Sequence, residues 1–412
     1  MNMEIRPILS ALLRNKTGPI LVAMQVAMSL AILANALHIV NERREVAARP
    51  SGLADEAATF YFSVRNLNQD TPDQKLASIK RELEVLRAVP GMVSAGQVSQ
   101  MPLSQSGTTS SVSADPRQER ESAYTSVYAT DGAMVKTFGL KLVEGRDFLP
   151  HEVPEVNQTL ENRIPETILI TKALAEKLWP GAPAAGRTMY FGVGNEARGV
   201  QVVGVVERLQ SVHAEVGVDA EYSVVMPEFS YGRPGTTYAM RAEAGQRDRV
   251  MQEAERALRK SSATPMILRI KTVEGDRQDR YRADMALSWM LVTVSVLLLL
   301  VTCSGIVGMA SLWVTQRRKQ IGVRRALGAR RIDILRYFIV ENVLITSGGV
   351  FGGVLLGVGL NQLLVSKLEM TRLPLVYLIG GALMFWAIGI LAAYGPAWRA
   401  ASTSPAMATR ST

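Results

Sequence analysis

Four long stretches of this chain carry no aspartate, glutamate, lysine or arginine: Gly18 to Val40, Ala286 to Val314, Val343 to Val365 and Leu373 to Trp398. Each exceeds the roughly 20 residues with which a helix crosses a hydrocarbon core about 30 Å thick. The predicted class is therefore a membrane α-helical protein with four transmembrane helices. A long segment, 41–285, separates the first helix from the second, and it is large enough to hold a core of its own.

The loop at 315–342 sets the orientation. Between Arg317 and Arg336, Arg317, Arg318, Lys319, Arg324, Arg325, Arg330, Arg331 and Arg336 stand against Asp333 alone, and such a bias places a short loop in the cytoplasm. Both termini are then cytoplasmic, in agreement with Arg6, Arg14, Lys16, Arg399 and Arg410, while 41–285 and the short loop 366–372 lie on the far side. Arg43, Arg44 and Arg49 dissent locally, but the central loop outweighs them. Most of the formal charge of +9 thus belongs to the cytoplasmic flanks, and no basic cluster with interleaved aromatics remains to suggest nucleic acid. A cleavable signal peptide ending at Ala34-Asn35-Ala36 is the competing reading of the first span, whose apolar run is longer than such peptides use. The single cysteine, Cys303, falls inside the second span, so the far-side domain is expected to stand without disulfides.

Within that domain, Thr59 to Arg65 alternates like a half-buried strand. Thr71-Pro72-Asp73-Gln74 then supplies an N-cap, a proline at the first helical position and a capping-box glutamine. The helix that follows places Leu76, Ile79, Leu83 and Leu86 on one face, stops at Pro90-Gly91, and Met92 to Met101 returns as a strand. A second strand–helix–strand pattern runs through Thr237 to Ala242, Gln246 to Lys260 and Met266 to Val273. Two βαβ units apart in sequence, about 58–101 and 236–273, predict a split ferredoxin-like α+β subdomain. The insertion between them, about 102–235, reads as β-rich, with strand-like pieces at Ser126 to Thr130, Thr167 to Ile170 and Val200 to Val206 and a short helix at Lys172 to Trp179. The charged stretch 274–285 runs into the second span as a stalk, either simply solvated or transmitting displacement.

Catalytic signals are sparse. Gly181 to Thr188 has Walker A spacing with Arg187 in place of lysine, but a helix precedes it and a strand follows, the reverse of a phosphate-binding loop, so a turn is expected. His38, His151 and His213 are scattered without partners at metal-ligand spacing, and neither G-x-S-x-G nor H-E-x-x-H occurs. No catalytic, cofactor or metal residue is assigned. Away from His38, which sits near a membrane interface, the spans hold Gln25, Asn35, Asn361 and Gln362 as strongly polar groups, whereas a path for an ion or polar solute normally carries ionisable side chains at the midplane. Transmission of motion is favoured over passage of a solute between the helices. Gly348, Gly349, Gly352, Gly353 and Gly357 form small-xxx-small pairs suited to close helix contact, within the chain or between subunits. Glu341 and Asn342 stand at the mouth of the third span, as an anchor for the loop or simply as polar groups at a helix end.

Arg317 to Ala329, RRKQIGVRRALGA, resembles the R-x-x-E-I-G-[IV]-R-[RK]-A-[LI]-G-A signature of FtsX-like permease domains, and Tyr394 to Arg410 resembles that domain's terminal P-A-x-R-A…P…A-L-R pattern. Pro90 to Val93, Gly139 to Phe148, Ala173 to Arg187 and Val202 to Val206 look like the MacB-type periplasmic core. The resemblance implies a four-helix ABC permease that dimerises above a cytoplasmic ABC ATPase carrying ATP and Mg, with porter-like and sabre-like subdomains and an amphipathic N-terminal helix over 1–17. It further implies that Arg317, Gln320, Ile321, Gly322, Val323, Arg324, Arg325, Ala326, Leu327, Gly328 and Ala329 couple to that ATPase, Arg324 and Arg325 meeting acidic residues. Glu341, Pro396, Arg399 and Pro405 match family positions at the membrane interface. The family's usual glutamate is Gln320 here, which keeps a hydrogen bond but loses its charge assistance; neutral drift explains it equally well. The function implied is export or efflux of a periplasmic substrate from the inner membrane of a diderm bacterium, with a homo- or heterodimeric second permease subunit, a periplasmic adaptor and an outer-membrane factor as partners. FtsX-like regulation of a cell-wall hydrolase and LolC/E-like lipoprotein release are the alternatives.

Overall fold

The computed structural model describes residues 12, 16–67, 70–118, 120–160, 163–214, 216–262, 265–368 and 371–402. Arg6, Arg14, Pro405 and Arg410 lie outside them, as does nearly all of the expected helix over 1–17. The chain divides into a helical unit, made of the segments up to Glu45 and from Ala283, and an α/β unit, Val46–Arg282. Both boundaries fall inside helices: the first in α1 (Thr17–Ala47), the second in a helix of 44 residues described below.

The α/β unit begins with β1 (Thr59–Asn66), α2 (Pro72–Arg87) and β2 (Met92–Val98). Thr71 caps α2 as the sequence predicts: its hydroxyl accepts from the Gln74 N–H at 3.4 Å, and the Gln74 side chain accepts from the Thr71 N–H at 2.9 Å. Next come β3 (Thr109–Ser113), β4 (Ala123–Thr130), α3 (Met134–Phe138), β5 (Leu142–Gly145), β6 (Glu155–Asn157), β7 (Thr167–Thr171), α4 (Lys172–Leu178), β8 (Thr188–Phe191) and β9 (Arg198–Val206). The unit closes through β10 (Ser223–Pro227), β11 (Phe229–Tyr231), β12 (Thr236–Ala242), α5 (Arg247–Ser261) and β13 (Met266–Thr272).

Strands of the two βαβ units interleave in the order β2-β12-β1-β13, every neighbour antiparallel. Phe60, Phe62 and Val64 pack with Ile79, Leu83 and Leu86 of α2 and with Val250, Ala254 and Leu258 of α5. Burying each phenylalanine contributes about 1.5–3 kcal/mol. β1 is less one-sided than its alternation suggests, because Tyr61 on the opposite face is also buried, with Met134 and Phe138 of α3. The insertion is a closed ring: β4 pairs β3, β3 pairs β8, then β9, β7 and β10 follow, and β10 pairs back to β4. Closure leaves these strands no open edge, and Ile168, Ile170, Val202 and Val224 help to fill the interior. The β2-β12-β1-β13 strands meet the ring where Val98 pairs with Thr130, flanked by the Ser99 N–H donating to the Ala129 carbonyl at 2.9 Å.

The helical unit contains α1, α6 (Val273–Gln316, shared with the α/β unit), α7 (Arg318–Ala326), α8 (Arg331–Leu368) and α9 (Leu375–Ser402). Four of these are long and apolar enough to cross a membrane. Over its most apolar window α1 is 56% buried, against 17–33% for the others, so it is the helix the rest pack around. The glycines of α8 explain the close fit. A Cβ at Gly349 would lie 2.7 Å from the Ala23 carbonyl oxygen, and one at Gly353 would lie 2.9 Å from the Leu30 Cβ. Gly352 and Gly357 also face α1, at 3.5 Å from Ala27 and Ala31, whereas Gly348 faces open space. Polar groups bond between helices: Ser29 with Thr302 at 2.8 Å, Asn35 to the Gly357 carbonyl at 3.1 Å, and Asn342 to the Gly389 carbonyl at 2.6 Å. Arg43, one of the dissenting charges, forms an ion pair with Asp284.

Candidate functional site

Much of the expected 315–342 loop is helical. α6 ends at Gln316, α7 occupies nine residues, and α8 starts at Arg331. The turn between α7 and α8 is a Schellman motif: the Ala329 N–H donates to the Arg324 carbonyl at 3.0 Å and the Gly328 N–H to the Arg325 carbonyl at 3.2 Å. The φ of Gly328 is +94°, a conformation that glycine adopts without the strain of a Cβ. Asp333, in the first turn of α8, accepts the Arg330 N–H at 3.0 Å and complements the helix dipole.

One face of α7 is seated. Ile321 packs with Ile334 and Phe338 of α8 and with Ala397 and Ala401 of α9; Gly322 is buried too. Arg317 donates to both oxygens of the buried Glu341 at 2.9 Å and reaches the Tyr337 hydroxyl at 3.4 Å. The Arg324 guanidinium lies 5.2 Å from the centre of the Tyr337 ring, a cation–π distance. Gln320 is exposed beside Arg317 and Arg324, where the usual glutamate would add a second negative charge; Glu341 alone opposes Arg317 here. The other face is open: Val323, Ala326 and Leu327, at i, i+3 and i+4, are exposed, Leu327 at 83%. Arg324 and Arg325 differ. Arg324 is exposed, whereas Arg325 is half-buried and donates to the Ala329 carbonyl at 3.3 Å, so its first task is local.

The Pro396 and Arg399 positions lie within α9, with Arg399 exposed. Sequence reasoning missed the seat itself. Ile334, Tyr337, Phe338 and Glu341 recur at i, i+3, i+4 and i+7, the period of a helix face, and that signal was masked by the count of basic residues around it.

The Walker-like segment has no phosphate cradle to offer. The Gly181 N–H donates to Glu176 at 3.1 Å, those of Ala184 and Ala185 to Glu144 at 2.9 and 3.3 Å, and that of Gly186 to the Val202 carbonyl at 2.7 Å. Carboxylates of the protein occupy the place of an anion there.

Two family models match this chain: the MacB-like periplasmic core domain over residues 25–260 and the FtsX-like permease C-terminal domain over 292–405. The macrolide export ATP-binding/permease protein MacB of Bradyrhizobium diazoefficiens is 32% identical over 215 residues, covering 50% of this chain and 33% of that protein, so this chain spans about a third of that relative's length. An uncharacterized ABC transporter permease of Bacillus subtilis, YvrN, is 25% identical over 305 residues, 70% of each chain. Among solved structures, the periplasmic region of MacB from Actinobacillus actinomycetemcomitans aligns with 15% identity and a TM-score of 0.34, over 57% of this chain and 97% of that one.

Proposed function

The chain belongs to the MacB-like, FtsX-like family of ABC transporter permeases, and from that premise we propose that it carries ATP-driven motion from a cytoplasmic ATPase to an extracytoplasmic domain, for export of a substrate on the far side of the inner membrane. The observation that carries the reading is the two-sided α7. Its seated face is tied to α8 and α9 through Ile321 and the Arg317–Glu341 pair, while Val323, Ala326 and Leu327 beside Arg324 are left free to meet a partner. An apolar stripe with a cation next to it suits a groove with an acidic rim.

In this reading both termini are cytoplasmic, the α/β unit lies outside, and two permease subunits work together. The β2-β12-β1-β13 order with α2 and α5 on one face supports a ferredoxin-like, porter-like subdomain, and the closed ring supports a distinct sabre-like insertion. The unbroken α6 is the proposed rod, ATP and Mg belong to the ATPase, and a periplasmic adaptor and outer-membrane factor are the proposed further partners.

The test is co-purification from native membranes of a tagged chain carrying Arg324→Glu with Leu327→Asp, both exposed positions. Charge reversal and loss of the apolar contact cost on the order of several kcal/mol across an interface. The variant is expected to reach the membrane at wild-type levels without its ATPase. Retention of an ABC ATPase at wild-type stoichiometry contradicts the assignment of α7.

A further inference from the structure

The α/β unit holds a cavity of about 480 Å³ beside the contact between β2 and β4, within the range of about 300–1,000 Å³ typical of small-molecule sites. Its walls come from the end of β2, the segment before β3, from β4, β10 and β11, and from the turn that leads into β12. Two glutamines brace these walls. Gln97 bonds both the N–H and the carbonyl of Ser230, and Gln100 does the same for Thr108. Their amides are committed to the frame and have little left for a ligand.

The charged residues of the lining are Glu228 and Arg233, one of each sign, and no ion pair joins them. Glu228 is buried; its Oε1 accepts from the Gln158 amide at 2.7 Å and from the Ser230 hydroxyl at 2.5 Å, and its Oε2 accepts from no described residue. Arg233, exposed on the turn before β12, has no partner among the described residues. Gln158 also donates to Ser230 at 2.8 Å, which leaves its carbonyl oxygen without a described donor, and the hydroxyls of Ser106, Tyr231 and Thr237 bond no described residue. The lining is thus neutral in sum. It combines acceptors, a fork of donors and hydroxyls that act as either. A ligand with net charge of either sign meets one attraction and one repulsion there, whereas groups that each donate and accept answer the whole set.

We propose that this cavity binds a neutral polyhydroxylated molecule, a mono- or disaccharide, whose hydroxyls donate to Glu228 Oε2 and Gln158 and accept from Arg233, with the Tyr231 ring beside its C–H face. The bonds to Glu228 and Arg233 are charge-assisted and therefore the strongest of the set. Each hydroxyl of such a ligand can serve as donor to one wall and acceptor from another. Binding requires neither nucleotide nor ATPase, so the proposal stands or falls separately from the role of α7.

The test uses the full-length chain in lipid nanodiscs, so that no sugar-headed detergent competes, titrated calorimetrically without nucleotide. The probes are maltose, cellobiose and tetraglyme, a neutral chain whose ether oxygens accept hydrogen bonds but donate none. Saturable binding of at least one disaccharide is expected, with tetraglyme about tenfold or more weaker, the scale of a hydrogen bond to a charged group. Arg233→Ala, at an exposed position, and Glu228→Gln, which keeps the shape of the side chain, should each weaken the disaccharide about tenfold. Absence of saturable binding by both disaccharides, equal binding of tetraglyme, or undiminished affinity in both variants each overturns the proposal. The wild-type comparison decides the matter even if the buried variant fails to fold.

Discussion

Glu56 shows how single residues hold the α/β unit to the start of α6. Its carboxylate accepts from Arg277 at 2.7 and 2.8 Å and from the Ser51 hydroxyl at 2.5 Å, and Arg277 also bonds the Ala47 carbonyl at 2.8 Å. Burial works to raise the pKa of Glu56, but the hydrogen bonds from Arg277 and Ser51 and the Arg277 charge outweigh it, so the group lies below its ordinary value of 4.5. An acid with a depressed folded-state pKa contributes stability that is present above the unfolded value and is lost as pH falls through the folded one. Thermal unfolding of the full chain followed against pH should therefore show a deficit for Glu56→Gln of about 1–2 kcal/mol near neutrality. The deficit should shrink as pH falls below 4.5. A deficit independent of pH down to well below that value would show that Arg277 and Glu56 contribute through packing rather than charge.

At the scale of elements, α8 makes a sharper demand on its glycines than their shared spacing suggests. Gly349→Ala brings a methyl against the Ala23 backbone oxygen and Val26, while Gly348→Ala points into open space. The first is expected to cost about 1–3 kcal/mol, as overpacking does, and the second close to nothing; melting of the two variants in detergent compares them directly. Equal melting points would place the α1–α8 contact elsewhere. The sequence does not separate Gly348 from Gly349, because spacing identifies a stripe and only the neighbouring helix decides which edge of it is used. The four spans themselves are legible because a charge inside the bilayer costs so much that its absence leaves a clear mark, and α2 is legible because Thr71, Pro72 and Gln74 act locally. The closed ring is not legible. β10 pairs with both β4 and β7 across long sequence distances that leave no period behind. Likewise α7 reads as loop in the sequence, because its basic residues outnumber the apolar ones and only the packing of Ile321 and Gly322 reveals a buried face.

Over the whole molecule, one helix links chemistry at the basic turn to the α/β unit. α6 begins in the contacts of Asp276 with Tyr61 and Lys271, at 2.6 and 3.0 Å, and ends one residue before α7. None of its 44 residues breaks the helix, and no aspartate, glutamate, lysine or arginine interrupts its apolar part from Ala286 to Val314. These properties are what the proposed transmission of motion from an ATPase to the α/β unit requires. The most direct measurement places one spin label per subunit at Lys260→Cys, an exposed position on α5, in a Cys303→Ser background, and follows the distance between labels in the ATPase-bound complex. Transmission through α6 shifts the distance distribution when ATP is bound and returns it after hydrolysis. The same distribution with and without ATP, in a complex that hydrolyses it, would rule out transmission of motion to the α/β unit.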